Sequence, residues 1–314
     1  MHLLLTGANG FVGKNFINFF IKNTKYNLVC LTRKKTNNII NPRIKWVLIN
    51  KFDEKINWDM HLLNINCVIH LAGQAHTKNS KKDKELLQEN YLATRELAVV
   101  CIKKNIDKFI FLSSIKVNGE FTQNDKPFTI KDKPSPKNIY SEYKYKIENM
   151  LNDLFKGKKT SLGIIRSPII YGPNVKANFN LVLNIIRFRI PIPFAAFKNK
   201  RSFISVENLC DFILCFIKYS DYLFDTYLIS DDHDISTNEL IYKISSIYKK
   251  KIIIFYLPKI VILVIFKLFG LNSYLNKMYS NLQVDINYTK NKLLWKPRYK
   301  MDYSLNQILI DSKK

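Results

Sequence analysis

The strongest constraint on the fold of this chain is the run Thr6-Gly7-Ala8-Asn9-Gly10-Phe11-Val12-Gly13, set between a short apolar stretch and a segment of helical spacing. Three glycines at G-x-x-G-x-x-G spacing on a strand–turn–helix unit have separate tasks. Gly7 permits the tight turn, Gly10 lets backbone approach a pyrophosphate, and Gly13 lets the helix pack closely on the sheet. The helix that follows points its free N–H groups at the phosphates. A phosphate-gripping P-loop is the rival, because Lys14 follows Gly13. That motif needs Gly at position 8 and Ser or Thr at position 15, where this chain has Ala8 and Asn15. The loop therefore reads as a dinucleotide site, with Asn9, Phe11 and Val12 beside the glycines in contact with the ligand.

The pattern downstream supports this. Apolar runs at 2–5, 27–32, 46–49, 67–70, 108–113 and 161–166 read as strands, and the helical periods at 11–22, 83–104 and 138–155 alternate with them. Such alternation predicts an α/β fold, a doubly wound parallel sheet of the Rossmann kind, which binds ligands at the carboxyl ends of its strands. After about residue 170 the pattern loosens around Pro173, Pro191 and Pro193. The expected division is a nucleotide-binding domain over 1–170 and a smaller C-terminal substrate-binding lobe over 171–314, with segments near 202–230 returning to the first domain.

Which dinucleotide binds turns on the end of the second strand. An NAD site usually places an acid there for the ribose hydroxyls. This chain reads Leu31-Thr32-Arg33-Lys34-Lys35, and Arg33 can pair with a 2′-phosphate, so the reading leans to NADP(H) over NAD(H). In a Lys-rich chain a merely solvated Arg33 is the competing account.

The net charge of +25 admits nucleic-acid binding, attraction to an anionic membrane surface, or lysine-rich drift over the whole chain. No dense basic block with interleaved aromatics occurs, which favours drift and argues against nucleic acid. A positive field also draws in anionic substrates. Cys30, Cys67, Cys101, Cys210 and Cys215 are odd in number, form no C-x-x-C, and lie mostly in apolar runs. They read as reduced, buried thiols in a cytoplasmic protein with no metal site. The stretch 252–269 is apolar but interrupted by Pro258-Lys259 and Lys267, short of the roughly 20 residues a membrane span needs. It is expected to be a buried or surface-apposed helix, with weak membrane-surface contact left open.

The candidate chemistry lies at Ser113-Ser114, ending the fifth strand, and at Tyr140-Ser141-Glu142-Tyr143-Lys144. Tyr140 and Lys144 are four apart and share a helix face. An ammonium beside a phenol favours the phenolate, which can take a proton from an alcohol as hydride leaves the carbon. Ser114 would hold the same oxygen. A second Tyr-x-x-x-Lys, Tyr288 to Lys292, lacks a preceding Ser-ended strand and is rejected. His70 reads as a strand-end core residue. His76 is open between a ligand contact and a solvated role.

Together TGANGFVG, HLAG at His70–Gly73, SSIKVNGE at Ser113–Glu120 and YSEYK resemble the extended short-chain dehydrogenase/reductases, and among them the NAD-dependent epimerase/dehydratase group. The resemblance implies that Leu71, Ala72 and Gly73 line the cofactor, that Asn90 braces the site side of the long helix, and that Lys144 also grips the nicotinamide ribose. It implies a UDP-sugar substrate, with Asn178 and Arg201 on the pyrophosphate; a surface cation is the competing account of Arg201. It also implies a homodimer through the helices near 83–104 and 138–155. Dehydratases of the group carry an Asp-Glu pair where this chain has Ile115-Lys116, so no dehydration is expected. SSIKVNGE, VKANF and LQVD further resemble surface-polysaccharide enzymes, UDP-N-acetylhexosamine 4-epimerases and the 4-ketoreductases that make UDP-N-acetylquinovosamine. The Arg33 reading tips the balance to the reductase, with the epimerase as the alternative. A non-catalytic cofactor-binding protein is disfavoured by the intact Ser114, Tyr140 and Lys144.

Overall fold

A computed structural model describes residues 1–34, 39–73, 81–123, 126–175, 184–186, 188–193, 198–268 and 279–311. Its frame is a seven-stranded sheet in the order β3-β2-β1-β4-β5-β6-β9, every neighbouring pair parallel. The strands are β1 (His2–Thr6), β2 (Asn27–Thr32), β3 (Ile44–Leu48), β4 (Cys67–His70), β5 (Lys108–Ser114), β6 (Ser161–Ser167) and β9 (Phe224–Leu228). The central strands are built around short apolar runs because helices cover both faces. On one face α1 (Phe11–Asn23) and α5 (Val206–Lys218) bring Phe16, Phe20, Phe212 and Phe216 against the sheet. On the other, α2 (Trp58–His61), α3 (Lys81–Lys103) and α4 (Ile139–Phe155) supply Trp58, Leu97, Leu151 and Phe155. Strand order reverses between β1 and β4, so their carboxyl ends diverge and open a crevice.

The expected doubly wound sheet is thus present, with small shifts of boundary. The strand expected over 46–49 runs from Ile44 to Leu48, and the helix expected from 83 starts at Lys81. The strand expected over 161–166 runs one residue further, to Ser167, with Arg166 inside it. A charged residue is tolerated there because Arg166 is paired, as described below.

Two short parallel strands, β7 (Ile169–Tyr171) and β8 (Phe203–Ser205), lead the chain out to the lobe and back. The lobe contains α6 (Thr237–Ile247), α7 (Lys259–Leu268) and α9 (Met301–Asp311) around Ile186, Ile192, Ile241, Ile262 and Leu305, while α8 (Asn287–Leu293) packs beside β9. Among the described residues no helix is long and apolar enough to cross a membrane. All five cysteines are free, four of them buried and Cys215 half-buried.

Candidate active site

The glycine loop closes as a tight turn, Gly10 N–H donating to the Gly7 carbonyl over 2.9 Å. Gly7 has φ +73°, a left-handed conformation, and a Cβ there would lie 2.7 Å from the Ala72 nitrogen. A Cβ on Gly13 would lie 2.3 Å from the Gly7 oxygen, so the first turn of α1 and the end of β1 can meet only through glycine. Helix α1 starts at Gly10 with no side-chain cap and no acid in its first turn. Its N–H groups are left for an anion. Asn9 donates through Nδ2 to Thr32 and to the Lys34 carbonyl, yet its Oδ1 is buried without a partner among the described residues. A cradle that excludes side chains, an uncapped helix start and an orphaned acceptor together fit a dinucleotide. Phe11 and Val12 are half-buried against the core, and Arg33 stands exposed just past β2, next to the contact Asn9 makes with Thr32.

Strand β5 delivers Ser114 to the same rim in extended conformation, where its hydroxyl accepts from Lys116 N–H and caps the 3-10 turn Ile115–Val117. A capping box between Asn138 and Ser141 fixes the start of α4, and Asn138 also donates to Glu120 over 2.7 Å. Tyr140 therefore falls in the first turn, one turn before Lys144. Ser114 stands beside the Tyr140 hydroxyl, and enclosure pushes the pKa of the phenol up to about 12 while Ser114 pulls it back. Lys144 Nζ donates to the Leu112 carbonyl over 2.7 Å and stands 4.4 Å from the centre of the Phe111 ring. Burial brings its pKa down to about 8, opposed by the Glu148 carboxylate one turn on. A Cβ on Gly73 would sit 3.3 Å from that ammonium, so Gly73 leaves the room Lys144 occupies.

Ala72, Gly73, Asn90, Tyr140 and Lys144 line one cleft, together with Leu87, Thr94, Tyr143 and Ile147. Leu71 is half-buried behind its rim. Arg201 is buried, and its guanidinium donates to the carbonyl and hydroxyl of Ser280, which removes the account of it as a surface cation. Asn178 and His76 lie outside the described residues. Tyr288, on α8, donates to Asp225 on β9, apart from the cleft.

Two groups lie beneath the cleft: His70, the core residue at the strand end that the sequence predicts, and Glu148, which the sequence reading misses. His70 is buried, stacked on Phe52 and Phe111, and burial lowers its pKa to about 3. Thr94 donates to the Asn90 carbonyl, so it accepts from His70 Nε2–H over 2.9 Å. Thr6 accepts from Ala72 N–H and donates to His70 Nδ1 over 2.6 Å. A single directed chain thus ties the turn after β4 to the carbonyl of Asn90. Beside it, Glu148 accepts from Ser113 and from Arg166, the latter at 2.6 Å with both residues buried. Arg166 also donates to Asn118 over 2.9 Å. The one sequence signal for Glu148 was its spacing of four from Lys144.

Comparison with known proteins agrees with this geometry. The family model for the NAD dependent epimerase/dehydratase family matches residues 3–229. A UDP-glucose 4-epimerase of Vibrio cholerae is 33% identical over 299 residues, covering 94% of this chain and 90% of that protein. Among solved structures, a UDP-glucuronic acid 4-epimerase from Bacillus cereus in complex with NAD superposes with TM-score 0.81 at 18% identity, covering 100% of this chain and 99% of the other. A UDP-glucose 4-epimerase from Thermotoga maritima gives 0.77 at 20% identity with the same coverage. The structural likenesses show the fold, and the family match and the 33% relative carry the rest: this chain belongs to the NAD dependent epimerase/dehydratase family.

Proposed function

We propose that the protein oxidises and reduces C4 of a UDP-hexose, as a UDP-glucose or UDP-N-acetylglucosamine 4-epimerase. The placement of Tyr140 and Lys144 in the cleft beside Ala72 and Gly73, with Ser114 next to Tyr140, carries this reading. The names of relatives similar over nearly the whole chain support the substrate class. Gly7, Gly10, Gly13 and the start of α1 would hold the pyrophosphate, and Lys144 the nicotinamide ribose. When bound, the nicotinamide supplies a hydride acceptor and donor and, oxidised, a positive charge. Tyr140 takes the proton of the C4 hydroxyl while Ser114 holds that oxygen. Lys144 keeps positive charge close to the phenolate. On return of the hydride Tyr140 gives the proton back, and return to the opposite face inverts C4. Arg201, held by Ser280 at the lobe, would meet the substrate's pyrophosphate, and a homodimer through α3 and α4 belongs to the same proposal.

A second reading, a 4-ketoreductase making a UDP-6-deoxy-N-acetylhexosamine of the quinovosamine type for surface polysaccharide, is favoured by Arg33. That residue is exposed at the end of an acid-free β2, where it suits a 2′-phosphate and hence NADPH. Dehydration is not part of either reading, because buried Ile115 occupies the place of a proton-transferring acid. The deciding assay incubates the protein with UDP-glucose, UDP-N-acetylglucosamine and a UDP-4-keto-6-deoxy sugar, with and without added NADPH. Equilibration of C4 epimers without added cofactor supports the epimerase. Stoichiometric NADPH loss with the keto-sugar alone replaces it by the reductase. No turnover of any of the three overturns both.

A further inference from the structure

The lobe carries a surface that the chemistry at C4 does not use. Helix α7 turns Ile262 into the lobe core and turns Ile260, Val264 and Leu268 outward at successive spacings of four, exposed by 74%, 55% and 80%. The irregular segment before Pro258, which makes a single bridge at Ile254, does the same. Ile252 and Ile254 pack on the same core, while Ile253 and Tyr256 stand 66% and 69% exposed. Ile192 pairs with Ile254 in parallel, which brings exposed Ile190 and Phe188 to the neighbouring edge. Scattered exposed apolar residues are ordinary on a protein surface, but a helix stripe and an extended segment turned outward from one core form a patch.

Charge identifies what fits it. Residues 171–206 contain six Lys or Arg and residues 240–284 contain seven, and neither segment contains a single Asp or Glu. These are the segments that build the patch. Lys249, Lys251, Lys267 and Arg189 are exposed at its margins. A second copy of the chain would set this acid-free basic face against itself in a two-fold contact, a repulsive arrangement. An anionic lipid surface offers what both parts need, an apolar layer for the aliphatic stripe and negative headgroups for the lysines. Ten residues of helix span about 15 Å, half of the roughly 30 Å hydrocarbon core, so α7 can lie in the interface but not cross it.

We propose that the lobe docks peripherally on an anionic bilayer through the outward faces of α7 and the 251–257 segment. Flotation of the full chain with vesicles of phosphatidylglycerol and phosphatidylcholine, and with vesicles of phosphatidylcholine alone, tests it. Binding is expected to the anionic vesicles, weakening as salt is raised. The pair Val264→Glu and Leu268→Glu should weaken it by at least about tenfold, with turnover of soluble UDP-sugar and melting temperature unchanged. Lys249→Glu with Lys251→Glu, both fully at the surface, gives an independent loss should the first variant fold poorly. The proposal is overturned if the wild-type chain stays unbound with the anionic vesicles or if both variants float as it does. It is also overturned if sedimentation shows that Val264→Glu splits a dimer held by this face.

Discussion

At the residue scale, the site depends on a phenol whose ionisation is opposed by burial and only partly offset by Ser114. Tyr140→Phe removes the proton carrier and keeps the ring, so turnover should fall at least about 100-fold while the melting temperature moves little. Steady-state kinetics beside a thermal melt checks this, and unchanged turnover would remove Tyr140 from the chemistry. His70 makes a different kind of statement. Its pKa is about 3 in the fold, below the ordinary value of 6.5, so between those values the unfolded chain binds a proton the native one refuses. Stability from this group is present above pH 6.5 and drains as pH falls towards 3, by about 1.4 kcal/mol per unit. Urea unfolding of His70→Gln at pH 7.5, 6 and 5 should show a shallower decline than the wild type; parallel lines would refute the assignment.

At the scale of elements, the glycine loop and the helix it starts behave as one part. Gly13→Ala forces a Cβ to 2.3 Å from the Gly7 oxygen and should weaken nicotinamide dinucleotide binding at least about tenfold by calorimetry. Gly157→Ala is the matched control. Gly157 also has positive φ, +71°, but a Cβ there meets nothing within 4 Å, so it should cost about 1 kcal/mol of stability and leave binding alone. These elements were legible in the chain because buried parallel strands are written as short unbroken apolar runs, Leu3–Leu5 and Cys67–Ile69 among them. The Tyr140 and Lys144 pair was legible for the same reason, since both lie on one helix face. The pair Arg166–Glu148 was not. One partner sits on β6 and the other 18 positions earlier on α4, and only the crossover between them brings guanidinium to carboxylate. A lone Arg at a strand end reads as solvent-facing until its partner is placed. The same holds for Thr6 and Thr94, whose hydroxyls reach His70 from the neighbouring strand β1 and from α3.

At the scale of the whole molecule, the sheet and the lobe are joined by the segment around 281–284. Its backbone bridges Asn281 to Thr122 and Val284 to Phe128 on one side, and Leu282 to Arg201 on the other. Asp234 secures it by accepting from Ser202 and from Gln283. Asp234→Ala should therefore raise KM for the UDP-sugar at least about fivefold through misplacement of Arg201, with dinucleotide Kd unchanged. An equal loss of both affinities would show that the junction serves stability alone.

The return of the chain from the lobe to lay β9 against β6 has a practical consequence. Cutting the protein after β7 would not release a self-sufficient nucleotide-binding half. It would strip the outer neighbour from Leu162–Arg166, leaving a bare row of backbone donors and acceptors on a strand of apolar residues. Such an edge templates intermolecular pairing. An insertion that leaves the sheet intact belongs within the excursion between β7 and β8 or beyond β9.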